Sequence, residues 1–118
     1  EAFLLDLNNI INDKQITIER IMGFTPAISR TDTSLYKAIV KVSEQTFGAP
    51  VIPTVAGGFT DSHFFRDLGI TSYGYSPFVY APGEFSGVHG NDERLGVENL
   101  KKGVRTLYQL LVDFAAQP

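Results

Sequence analysis

Between Val97 and Ala115, apolar side chains return every three or four residues, at Leu100, Val104, Leu107, Leu111 and Phe114. Lys101, Lys102, Arg105, Gln109 and Asp113 fall off that stripe. The spacing matches a helical period of about 3.6 residues, so the stretch is predicted to be an amphipathic helix. A helix of this kind needs an apolar layer to cover, and a sheet face is the expected one. Burying the five stripe residues is worth about 1.5–3 kcal/mol each before conformational entropy is subtracted.

What that layer could be is bounded by the totals. A chain of 118 residues suits one domain or pieces of two. With 43% hydrophobic and 19% charged residues it has ordinary globular composition, which argues against disorder. Ten basic residues stand against 13 acidic ones, net charge −3, with no basic run, so nucleic-acid binding is not expected. The apolar runs are too short for a membrane-spanning helix, and no membrane partner is expected. Cysteine is absent, which excludes disulfides and thiolate metal sites and leaves histidine and carboxylates as ligands. Glu1-Ala2-Phe3-Leu4-Leu5 reads as the interior of a helix, without initiator Met, leader or cap, so the natural N-terminus is expected to lie upstream.

Phe3, Leu4, Leu7, Ile10 and Ile11 share one helical face in residues 1–12. Alternation at Gln15–Met22 predicts a strand. Helix then strand makes half of an α+β unit in residues 1–22, whose partner strands lie outside the sequence. Residues 23–32, with Gly23 and Pro26, read as a linker, and 33–118 as a second unit. There Asp32 or Thr33 caps a helix running to about Thr46, with Leu35, Tyr36, Ile39, Val40 and Val42 on its buried side, and Gly48 stops it. Pro50–Val55 reads as an edge strand, Thr60 or Asp61 caps a short helix closed by Gly69, and Ile70–Tyr75 reads as another strand. Strand, glycine turn, helix, strand is a βαβ-like unit, so the expected class is α/β. Ligands of such sheets bind beyond the C-terminal strand ends, which would place Gly57–Ser62 near Ser76–His89.

Gly87-Val88-His89-Gly90-Asn91-Asp92-Glu93-Arg94 is the densest polar cluster and holds one of two histidines. An imidazole on a permissive backbone beside Asp92 and Glu93 suits a metal site or a proton-transfer site, with the carboxylates behind the ligand. A solvated surface histidine is the plain alternative. Catalytic zinc takes three protein ligands and an open position, and this sequence cannot obviously complete that set. Gly57-Gly58-Phe59-Thr60-Asp61-Ser62 could be an anion cradle at a helix start, or a plain turn. It lacks the ending of a phosphate-binding P-loop. Asp61-Ser62-His63 has the residue types of a hydrolase triad, but neighbouring side chains on a helix point apart and no nucleophile elbow is present.

The order of these motifs carries a resemblance. Pro50 to Val55 is followed by Gly57-Gly58-x-Thr60-Asp61-x-His63-Phe64-Phe65-Arg66. Then come Leu68-Gly69-Ile70 to Tyr73-Gly74-Tyr75-Ser76-Pro77, His89-Gly90-Asn91-Asp92-Glu93-Arg94, and a helix. This resembles the C-terminal part of the co-catalytic zinc peptidases of the aminoacylase/carboxypeptidase family, which includes glutamate carboxypeptidase, acetylornithine deacetylase and succinyl-diaminopimelate desuccinylase. The resemblance covers residues 30–116 well and 1–22 loosely.

The resemblance implies an α/β catalytic domain with a two-zinc site and an inserted α+β lid that often forms the homodimer contact. Residues 1–22 would be the last helix and strand of that lid, and 33–118 the returning catalytic segment. His89 maps onto a zinc ligand, and Gly57, Gly58, Thr60 and Asp61 onto the loop lining the substrate side. Many relatives carry Arg where His63 stands, which departs from the pattern. The general base and remaining ligands would lie upstream. The parent would hydrolyse a peptide or N-acyl amino acid bond, and these residues alone are expected to be inactive. The alternative is a non-enzymatic α/β module holding a small anion or serving assembly.

Overall fold

A computed structural model describes residues 2–80 and 87–116 of the chain. Four helices form among them: α1 (Ala2–Ile11), α2 (Ser34–Phe47), α3 (Ser62–Asp67) and α4 (Val97–Ala115). Their ends follow local chemistry. The Thr33 hydroxyl accepts the Tyr36 N–H at 3.1 Å, satisfying a donor that the first turn leaves free. Gly48 takes a left-handed φ of 66°, and its N–H reaches the Glu44 carbonyl at 2.9 Å to close α2. Gly69 does the same after α3 with φ 78° and a 2.8 Å bond to the Arg66 carbonyl. No described helix is long and apolar enough to cross a membrane.

The expected α/β class is not what forms. Among the described residues the secondary structure is entirely helical, with no strand. Gln15–Met22, Pro50–Val55 and Ile70–Tyr75 lie in no ladder. A strand exists only through backbone bonds to a neighbour, and among the described residues none of these segments meets one. Pro50 and Pro53 each remove a donor besides. The lid half-unit loses its predicted strand for the same reason and keeps only α1.

The 70–75 segment is instead held to α2 by side chains two residues apart. The Tyr73 hydroxyl meets the Thr33 hydroxyl and the Arg30 carbonyl. The Tyr75 hydroxyl is 2.8 Å from Ser43 Oγ. Arg66 ties the preceding turn down, donating at 3.0 Å from Nε to Ser29 Oγ and at 3.0 Å to the Ser72 carbonyl. The two tyrosines are thus spent on α2 and its N-cap rather than on a sheet.

α2 and α4 pack on each other, around Ala38, Ile39, Val42 and Leu110. α4 contributes Gly103, Thr106 and Leu110, not the stripe that dominates its sequence. Leu110 is 6% exposed, whereas Leu111 is 67% exposed. The sheet that the stripe was expected to cover does not form among the described residues, and the helix buries the narrow face that α2 can approach. Gly103 instead admits the Phe78 ring, into which a Cβ there would run. Beside it the Asn99 amide pairs with both backbone groups of Val79, accepting its N–H at 3.1 Å and donating to its carbonyl at 2.9 Å. The radius of gyration is 19.2 Å. A packed chain of this length would have about 13–14 Å, so the helices do not close a full core by themselves.

Lys41 of α2 donates to Asp113 Oδ2 of α4 at 3.0 Å, and Gln109 donates to Oδ1 at 2.6 Å. The Lys41 hydrogen bond, then the Gln109 one, holds the Asp113 carboxyl below the usual carboxylate range. A lowered folded-state pKa adds stability that is fully present above the unfolded value of about 3.9 and is lost as pH falls through the folded value. Replacing Asp113 with Asn is therefore expected to shrink the acid-side loss of helix signal. Acid titrations followed by circular dichroism check this. Identical acid limbs for the two proteins would remove the bond from the stability argument.

Candidate functional site

The 87–93 turn is shaped by its glycines. Gly87 is buried with φ 64°, and a Cβ on it would sit 3.1 Å from the Asp92 carbonyl oxygen. Gly90 donates to the Gly87 carbonyl at 2.7 Å, and a Cβ on Gly90 would lie 3.0 Å from that oxygen. A side chain at either position would open the turn. His89 lies between them with φ 62°, a left-handed conformation that is uncommon for a residue carrying a Cβ. Its backbone N–H donates to Glu93 Oε2 at 3.2 Å. Glu93 thus steadies the backbone of His89 rather than its ring. The imidazole is exposed and makes no hydrogen bond among the described residues. Asp92 contributes its carbonyl, which accepts from Arg94 at 3.5 Å, the outer limit of such a bond.

This arrangement fits one corner of a metal site. A neutral imidazole free at its ring nitrogens is a good zinc donor. No cluster of three or more His, Asp or Glu that could hold a metal ion exists among the described residues. These residues do not complete a metal site by themselves.

The second candidate stretch lies ahead of α3. Thr60 Oγ1 accepts the Ser62 N–H at 3.0 Å and donates to Ser62 Oγ at 3.0 Å. The Asp61 side chain makes no cap bond to α3. A Cβ added to Gly57 or Gly58 would meet nothing within 4 Å, so the chain's own packing does not demand glycine at either. The anion-cradle reading gains no support here. α3 has only six residues, and the Asp61 carboxylate stands at its entry, where it would repel an anion. The triad reading fails on geometry. Ser62 Oγ is bonded to Thr60, and His63 Nδ1 lies 3.2 Å from the Thr60 carbonyl, so no relay links Asp61, Ser62 and His63. No hydrogen bond or ion pair joins residues 57–62 to residues 87–94. The residues on which their expected approach partly depends, 81–86, lie outside the described residues.

One feature near this loop escaped the sequence reading. The His63 ring packs between Phe24, at a centroid distance of 3.8 Å, and Phe64, at 3.7 Å, with Phe59 at 5.1 Å. Phe24 and Phe59 stack at 5.0 Å. His63 and Phe64 belong to the first turn of α3, and Phe59 lies in the loop ahead of that helix. Phe24 belongs to a stretch read as linker, and only the folded chain brings it there.

The chain matches the family model "Peptidase family M20/M25/M40" over residues 5–113. It is 29% identical to an N-fatty-acyl-amino acid synthase/hydrolase of Danio rerio over 94% of this chain and 22% of that protein. It is 32% identical to the protein of the same description from Xenopus tropicalis, over 92% of this chain and 22% of the relative. A probable carboxypeptidase S-like protein of Dictyostelium discoideum is 29% identical over 90% of this chain and 23% of its own length. The chain therefore spans less than a quarter of the length of these relatives. The motif order that suggested a zinc-peptidase relationship and the match over nearly the whole chain agree: this chain belongs to the M20/M25/M40 peptidase family.

Proposed function

We propose that this chain is part of a zinc-dependent amidohydrolase that cleaves N-acyl amino acid or peptide bonds, with His89 as one zinc ligand. The observation that carries this reading is the glycine-pinched turn. It fixes the backbone of His89 through Glu93, while the imidazole makes no hydrogen bond among the described residues. Such a histidine is more useful as a ligand than as a structural residue, since among the described residues its ring makes no bond that the fold depends on. Asp92 and Glu93 stand behind it, with Glu93 setting its backbone. When bound, zinc acts as a Lewis acid toward the amide carbonyl and acidifies a water; a family site takes two ions.

Gly57, Gly58, Thr60 and Asp61 line the substrate side in this reading. The glycines leave open space that a ligand backbone could enter. Thr60 braces the loop, and the Asp61 carboxylate offers acceptor oxygens to a substrate N–H. Residues 1–22 end the lid through which two copies pair, 23–32 connect, and 33–118 belong to the catalytic domain. The relatives described as N-fatty-acyl-amino acid synthase/hydrolases favour an N-acyl amino acid as the substrate.

The test is an assay of the full-length protein on N-acyl amino acids and dipeptides after metal removal and after adding zinc back. Hydrolysis that disappears with the metal and returns with zinc is expected, while the 118-residue chain alone turns nothing over. Hydrolysis that survives metal removal, or turnover by the 118-residue chain alone, would refute the proposal.

A further inference from the structure

Many apolar side chains of this chain are exposed, so exposure by itself says little. The α4 stripe is a straight row, the form that an adjoining layer of a larger fold would cover. The Phe24, Phe59, His63 and Phe64 group is different. Its rings already pack on one another in stacked, tilted and edge-on contacts, so the group is organised without a covering layer. The three phenylalanines nonetheless remain 40–58% exposed, presenting an apolar wall.

The wall is continuous with the loop assigned to the substrate. Phe59 is a residue of that loop, between Gly58 and Thr60. His63 pins the loop twice, its backbone N–H donating to the Thr60 carbonyl at 3.4 Å and its ring Nδ1 standing 3.2 Å from the same oxygen. With Nδ1 as the donor, the ring is fixed in orientation between Phe24 and Phe64. Asp61, whose carboxylate makes no hydrogen bond among the described residues, is next in sequence to the pinned Thr60. An amphiphilic ligand is what such a surface suits: a polar group at Asp61 and an apolar tail along the rings.

We propose that Phe24, Phe59 and Phe64, held in place by His63, form the subsite that receives the aliphatic acyl chain of an N-acyl amino acid substrate. This rests on the substrate reading given above and adds where the acyl chain lies and what sets the chain-length preference. His63 acts here as a positioning residue.

Two measurements test it in the full-length protein. In the first, kcat/KM is compared for N-acetyl, N-octanoyl and N-hexadecanoyl derivatives of one amino acid. The long-to-short ratio is expected to fall roughly tenfold or more in Phe24→Ala and Phe64→Ala, the scale of a change in an apolar pocket. His63→Gln, which keeps a polar group but loses the ring contacts, is expected to lower the ratio through KM more than through kcat. In the second, the wild-type protein is irradiated with an N-acyl amino acid bearing a diazirine at the end of its chain, and labelled peptides are mapped by mass spectrometry. Label within residues 24 and 59–65 is expected. Label elsewhere, absence of specific label, or an unchanged ratio in well-folded variants would overturn the subsite. The same results with N-acyl amino acids still hydrolysed would leave the proposed function standing. Specific label without hydrolysis would overturn that function and keep the subsite.

Discussion

Replacing His89 with Gly in the full-length protein is expected to lower zinc-dependent hydrolysis by about a thousandfold or more, the scale of removing a ligand from a catalytic metal. Glycine is the informative substitution because of the backbone. His89 has φ 62°, where histidine and alanine alike carry about 1–2 kcal/mol of steric strain that glycine does not. An alanine variant would lose the ligand and keep that strain, so only glycine also reports on the strain. Glycine removes the imidazole and relaxes the turn together, and Asn, which tolerates the left-handed region, is the matching polar control. The metal-free His89→Gly protein is expected to be at least as stable as the parent in urea unfolding. Its zinc content, measured by elemental analysis, should fall. Retained turnover with full zinc content would show that His89 is a surface residue.

The residue types at the site were legible because the chemistry is local. A histidine flanked by Gly87 and Gly90 and followed by Asp92 and Glu93 can be read as a polar turn from the sequence. The division of labour within it could not be. That Glu93 bonds the His89 backbone, and that Gly87 is required by the approach of the Asp92 carbonyl, depend on how the turn closes. The aromatic group was harder still. Phe59, His63 and Phe64 are close in sequence, but their contact with Phe24 crosses a stretch whose Gly23 and Pro26 gave no sign of packing. The same stretch also meets the 70–75 segment through Ser29 and Arg30, by side-chain bonds that no periodicity announces.

The helices were legible for the reason that the strands were not. A helix closes its bonds within itself, and its ends are set by the next few residues. Thr33 and Gly48 could therefore be named as the ends of α2 from sequence, and α4 runs over the residues its stripe predicts. A strand depends on a neighbour whose position no local pattern contains. Tyr73 and Tyr75 show the consequence. Their segment was read as a strand, but their partners are Thr33, at the N-cap of α2, and Ser43 within it rather than another strand.

The face of α4 that is buried gives the largest expected effect on stability. Leu110 and Leu111 are adjacent, chemically identical and differently placed, at 6% and 67% exposure. The sequence stripe favours Leu111 as the core residue, and the structure favours Leu110. Truncating a leucine to alanine in a packed interior costs about 2–5 kcal/mol, because transfer and cavity terms add. In the 118-residue chain, Leu110→Ala is therefore expected to lose that much and Leu111→Ala less than about 1 kcal/mol. Urea unfolding followed by circular dichroism measures both. Should Leu110→Ala leave no folded population, Leu110→Val keeps the comparison, at a smaller loss. The neighbours explain why the loss cannot be absorbed. Leu110 packs with Ala38, Ile39 and Val42 of α2, and Phe78 already occupies the space beside Gly103 on α4. Equal losses at the two positions would mean that α4 is rotated about its axis, and Leu111→Ala costing more would restore the face that the stripe predicts.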